Sequence, residues 1–63
     1  MSQESMILDD LKKGKRITAM VALHKFGVFR LAARIRDLRD SGYAIQSRMV
    51  DRGGKRVAEY WLN

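Results

Sequence analysis

The 63 residues suffice for one domain with a small core and exclude a second. Hydrophobic residues make up 46% of the chain, too many for a disordered basic tail, and no apolar run approaches the roughly 18 residues of a membrane span. The 13 Lys and Arg against 7 Asp and Glu leave a net charge of +6, a field that favours polyanionic partners, nucleic acid first.

Cysteine is absent and no histidine–acid cluster has ligand spacing, so neither disulfide nor metal is expected to staple the fold. The start "MSQES" lacks the order of a signal peptide, and a reducing, cytoplasmic setting is expected. No nucleophile, base and oxyanion donor converge in a motif, so neither an enzyme nor a cofactor is expected. Proline is also absent, which leaves the punctuation to Gly14, Gly27, Gly42, Gly53 and Gly54.

The first segment, "SQESMILDDLKKG", carries Ile7, Leu8 and Leu11 as the stripe of a short amphipathic helix. Ser2 suits its N-cap, Glu4 its positive end, Lys12 and Lys13 its negative end, and Gly14 its stop. Ile17 follows as a lone apolar residue able to join a sheet edge. Thr18 is a good N-cap for "AMVALHKF", with Ala19, Ala22, Leu23 and Phe26 as an inward stripe closed by Gly27. After a turn of one or two residues, Leu31, Ile35 and Leu38 recur at helical spacing until Gly42. This third helix has no Ser or Thr to cap its start near Val28.

From Tyr43 the period becomes alternating. "YAIQSRMVD" and "KRVAEYWLN" flank "RGGK", and a Gly-Gly pair between two such runs signals a two-residue hairpin. With Gly53 and Gly54 as the loop, Asp51 faces Arg56, Val50 faces Val57, Arg48 faces Glu59 and Gln46 faces Trp61. Opposite charges thus meet twice. Ile45, Met49, Ala58, Tyr60 and Leu62 share the core side, and Trp61 stands out on the other, mixed face.

This order predicts an α+β fold, a single winged helix-turn-helix domain over residues 1–63. Three helices precede a two-stranded β-hairpin wing, with the helix-turn-helix near residues 18–41 and the wing near 43–62. With Leu31, Ile35 and Leu38 turned inward, the opposite face of helix three holds Phe29, Ala33, Arg36 and Asp40, flanked by Arg30 and Asp37. On double-stranded DNA, Phe29 or Ala33 suits a thymine methyl, and Arg30 or Arg36 a guanine edge. Arg34 is expected on a phosphate or in a salt bridge to Asp37 or Asp10, and Arg39 on carbonyls or a carboxylate. Arg52, Lys55 and Arg56 at the hairpin tip suit the minor groove or backbone, while Thr18, Lys25, Lys15 and Arg16 suit phosphates.

The text from Thr18 to Leu62 resembles a family of small winged helix-turn-helix proteins common in bacteriophages and prophages. "RLAARIRDLR", "GYAI" and "AEYWL" carry the likeness. The resemblance implies DNA binding and a regulatory or recombination-related role, without catalytic residues. One departure is that Ala22 and Gly27 stand five apart where the general helix-turn-helix pattern has four.

Three readings follow. The leading one is a sequence-specific transcriptional regulator. A second is a protein-binding winged helix in which Val50, Val57 and Trp61 dock a host or phage protein, Trp61 being the kind of aromatic anchor that dominates interfaces. The third is an architectural protein that bends DNA with little sequence preference. A domain this small buries only the ~600–1,000 Å² of a single module, so strong specificity calls for a homodimer, paired through the Trp61 face, or cooperative assembly on DNA.

Overall fold

The computed structural model describes residues 3–62. Helix α1 spans Gln3–Lys12, strand β1 Ile17–Thr18, helix α2 Ala19–Phe26, helix α3 Leu31–Asp40, strand β2 Ile45–Arg52 and strand β3 Lys55–Leu62. Helix α1 buries Ile7 and Leu11 and half-buries Leu8. Ser2, expected as its cap, lies outside the described residues.

The hairpin register matches the expected pairing from Ile45↔Leu62 to Arg52↔Lys55. Gly53 and Gly54 both take positive φ, +59° and +80°, a conformation that costs a glycine no Cβ clash. The sheet has three strands rather than two, because Ile17 and Thr18 pair with Tyr60 and Glu59. Strand β3 therefore lies in the middle, in the order β1-β3-β2. Ile17 is wholly buried, which fixes the short edge strand in place.

The helices pack on one face of this sheet. Ile7, Leu11, Ile17, Ala22, Val28, Leu31, Ile35, Leu38 and Ile45 form one cluster, with Phe26, Tyr43, Tyr60 and Leu62 against it. Two expectations about the core are corrected here. Met49 is exposed, because strands of 8 residues rising ~3.3 Å each outrun so small a core and the distal hairpin overhangs it. In α2, Ala19 and Leu23 are also exposed, and the inward position past Ala22 is taken by Val28, just after the helix.

The turn between α2 and α3 explains that exchange. Gly27 adopts a left-handed φ of +68°, its amide donates to the Leu23 carbonyl, and the Val28 amide reaches back to the Ala22 carbonyl. Val28 is thereby folded under the helix end. The turn runs to Arg30, longer than the one or two residues expected, and α3 begins at Leu31 without a side-chain cap. Phe29 and Arg30 consequently lie in the turn, ahead of the helix.

Candidate nucleic-acid interface

Helix α3 turns Leu31, Ile35 and Leu38 into the core, so its remaining residues form an outward band. Arg36 and Ala32 are exposed and Ala33 is half-buried. Arg30 and Arg36 make no ion pair among the described residues. Arg34 differs, since it bridges Asp37 at 3.3 Å and Glu4 of α1 at 3.6 Å. Of the two acids expected for it, Asp37 is the partner and Asp10 is not.

Arg39 also has a structural task. Its Nε and Nη2 donate to the Ile45 carbonyl at 3.1 and 2.9 Å, so the carbonyl it satisfies belongs to the start of β2 rather than to its own helix. The end of α3 is fastened to the first residue of the wing.

Ahead of α3, Phe29 is 85% exposed, the most exposed large apolar side chain among the described residues. It rims an open groove of ≈ 310 Å³ between the start of α2, the start of α3 and β3. Small side chains, Ala19, Ala32, Ala33 and Ala58, line it with Arg30, Leu31 and Tyr60. Ala58, expected on the core side of the hairpin, is half-buried at the groove floor, and Ala32 is a groove residue not singled out in the sequence. The adjacent alanines inside an arginine-rich helix were the available signal, because a small side chain on an outward face lets another molecule approach closely.

At the wing tip Lys55 and Arg56 are exposed and unpaired among the described residues. Asp51 faces Arg56 in register without an ion pair, so only one of the two opposite-charge meetings forms a bridge. Arg52 folds back instead, its Nη2 3.1 Å from Oε2 of Glu59. The structure thus brings Phe29, Arg30 and Ala33 to one groove, leaves Arg36 exposed further along α3, sets Lys55 and Arg56 on the hairpin, and turns Arg52 onto the sheet.

Thr18 and Lys25 are both engaged within the protein. The Thr18 hydroxyl accepts the Val21 amide at 3.3 Å and caps α2. The Lys25 ammonium is paired with the carboxylate of buried Asp10 in α1, joining two helices. The hydrogen bond from Lys25 holds the Asp10 carboxyl below its ordinary value against the opposing effect of burial, and the same bond raises Lys25. A depressed carboxylate contributes stability above its unfolded value and loses it as pH falls through the folded one. In urea titrations, the gap between the wild type and Asp10→Asn is therefore expected to be full near neutrality and to close in acid, below the ordinary carboxylate range. A gap that stays constant down to that pH would show that the pair is not the source.

Fold and site together define a DNA-binding winged helix, with one unpaired arginine on its third helix, another just ahead of it, and a basic hairpin beside them. The chain belongs to the winged helix-turn-helix domain family, whose sequence model matches residues 2–63. No curated protein and no solved structure matches it. Families of this kind are typically DNA-binding modules without catalysis. Among the described residues no helix is long and apolar enough to cross a membrane, and no group of His, Cys, Asp or Glu is placed to hold a metal ion.

Proposed function

We propose that the chain is a sequence-reading double-stranded DNA-binding regulator that inserts α3 into the major groove and lays the hairpin tip along the adjoining backbone or minor groove. The observation that carries this reading is a division among the cations. Lys13, Arg16, Lys25, Arg34, Arg48 and Arg52 are spent on carboxylates of the protein itself. Among the described residues seven are not: Lys12, which lies over the Tyr43 ring, Lys15, Arg39, which holds the Ile45 carbonyl, and the four that bear on this reading, Arg30 just ahead of α3, Arg36 on it, and Lys55 and Arg56 at the wing. Cations left unpaired on the two elements that a winged helix offers to a duplex are in the right place to meet phosphates and base edges.

Arg36 serves as the base reader, since it stands a full turn into α3 and is exposed, with Ala32 and Ala33 keeping the helix surface low beside it. Phe29, apolar and nearly bare, is suited to a thymine methyl or a base step at the helix start. Lys55 and Arg56 position without specifying. The likeness of Thr18–Leu62 to phage and prophage winged helices supports a regulatory role in that setting. Adjacent copies on repeated half-sites supply the affinity that one small module lacks.

Binding is tested by selection from a random duplex pool, followed by titrations at several salt concentrations. Arg36→Ala is expected to cost ~1–3 kcal/mol at one base position and to flatten preference there. Lys55→Ala is expected to weaken all sequences alike and to lower the salt slope by about one. Equal, sequence-blind losses from both variants would remove Arg36 as a reader.

A further inference from the structure

The face of the sheet turned away from the helices has a charge arrangement that DNA reading does not use. Glu59 is buried, its side chain only 7% exposed, yet it holds three arginines: Nη1 of Arg16 at 3.2 Å, Nε of Arg48 at 3.4 Å and Nη2 of Arg52 at 3.1 Å. The three side chains are 47%, 59% and 60% exposed, so the carboxylate lies beneath and the guanidiniums lie above. What reaches the surface is the excess of positive charge.

Each guanidinium has five N–H donors, and Glu59 takes few of them. The arginines are also held in place sideways. Arg16 lies over the Trp61 ring with its guanidinium carbon 4.5 Å from the centroid, and Arg48 stands at 6.0 Å. Side chains already fixed by stacking and by a buried counter-charge lose less freedom when they bind a partner, and guanidiniums pair carboxylates in two-pronged fashion. Trp61, Val50 and Val57 are half-buried among them on the same face.

We propose that this outer sheet face is a docking surface for a segment of another protein that alternates acidic with apolar side chains. The acids would meet the outward N–H groups of Arg16, Arg48 and Arg52. The apolar side chains would lie on Trp61 and the two valines. A phosphate backbone matches the charge of this face but offers nothing to its apolar centre. A second copy of the chain fits worse, because pairing through this face would set two arginine clusters against each other. The surface looks away from the helices, so a duplex seated on α3 leaves it open except at the tip, where Lys55 shares this face with Arg52, and the inference does not depend on the DNA reading.

Trp61 is the only tryptophan in the chain, so its fluorescence reports on this face alone. The full chain is titrated with a short peptide of alternating glutamate and leucine, with the lysine–leucine counterpart, and with the glutamate–leucine peptide after saturation with a DNA duplex. The expected result is a saturable change in emission with the acidic peptide, none with the basic one, and unchanged peptide affinity on DNA. Arg48→Gln and Arg16→Gln, each shown folded by its urea transition, are expected to weaken the peptide about tenfold. Absence of a response to the acidic peptide would overturn the proposal. So would displacement of the peptide by the duplex, which would make the face a nucleic-acid contact, or sedimentation showing a dimer that excludes the peptide.

Discussion

Ile35→Ala is expected to cost ~2–5 kcal/mol and to leave a measurable fraction of the protein unfolded at 25 °C. Ile35 is 1% exposed at the middle of the inward stripe of α3, in a cluster shared with α1, β1 and the first residue of β2. The lost methyl and methylene groups leave a cavity that cannot collapse without pulling α3 out of register with α1. A domain of this size has a total stability of about 3–9 kcal/mol, so this one truncation consumes much of it. Ile35→Val, which removes one methylene, is expected to cost ~0.5–1.5 kcal/mol. Urea titration of the three proteins checks the series, and near-equal midpoints would mean that α3 is not held by this stripe. Loss of DNA binding in Ile35→Ala should follow the unfolded fraction and disappear when folding is restored by cooling or osmolyte.

The second large effect is expected at Glu59. Removing one member of a fully buried ion pair costs ~3–5 kcal/mol, and here the half-exposed guanidiniums keep some hydration, so about 1–3 kcal/mol is expected for Glu59→Gln. Glutamine keeps the shape and removes the charge, and three cations are then left facing one another across the sheet. Their repulsion is screened by salt, whereas a packing defect is not. The loss should therefore shrink as sodium chloride rises from low to molar concentration. A midpoint difference that ignores salt would show that Glu59 acts by packing alone.

These two sites differ in how visible they are in the amino-acid sequence. Ile35 is legible, because Leu31, Ile35 and Leu38 stand at helical spacing among charged residues and leave one apolar face. The hairpin is legible down to the register, since Gly53 and Gly54 fix the turn and the period of two then fixes every pair. The Arg48–Glu59 pairing follows from that register. The approach of Arg16 and Arg52 does not, because it depends on an edge strand of 2 residues and on a diagonal reach.

Helix α2 shows the opposite limit. Six of its 8 residues are apolar, so a period of 3.6 selects no face, and Val28 in the turn decides what Leu23 does not cover. The start of α3 carries no capping residue, which removed the signal that would have put Phe29 and Arg30 in the turn. Alternation assigned Met49 to a face without saying how far the core beneath it extends. Lys25 and Asp10 are 15 residues apart on different helices, a pairing that only the packing of α1 on α2 creates. On the site itself the basic residues are all visible, and spacing or register marks Arg34 and Arg48 as neutralised internally, whereas Arg16, Lys25 and Arg52 are separated from the free cations only by the packing of distant segments.

The bond from Arg39 to the Ile45 carbonyl has a consequence for any duplex held at both α3 and the hairpin. It fastens the end of α3 to the root of the wing with two donors, so the helix and the hairpin keep a set span, like the jaws of a locked caliper. The duplex has to supply the adjustment. Sites whose grooves already have the matching separation are held without distortion, while stiffer or differently shaped tracts must bend or widen at a cost. Preference would then extend to base pairs that no side chain touches.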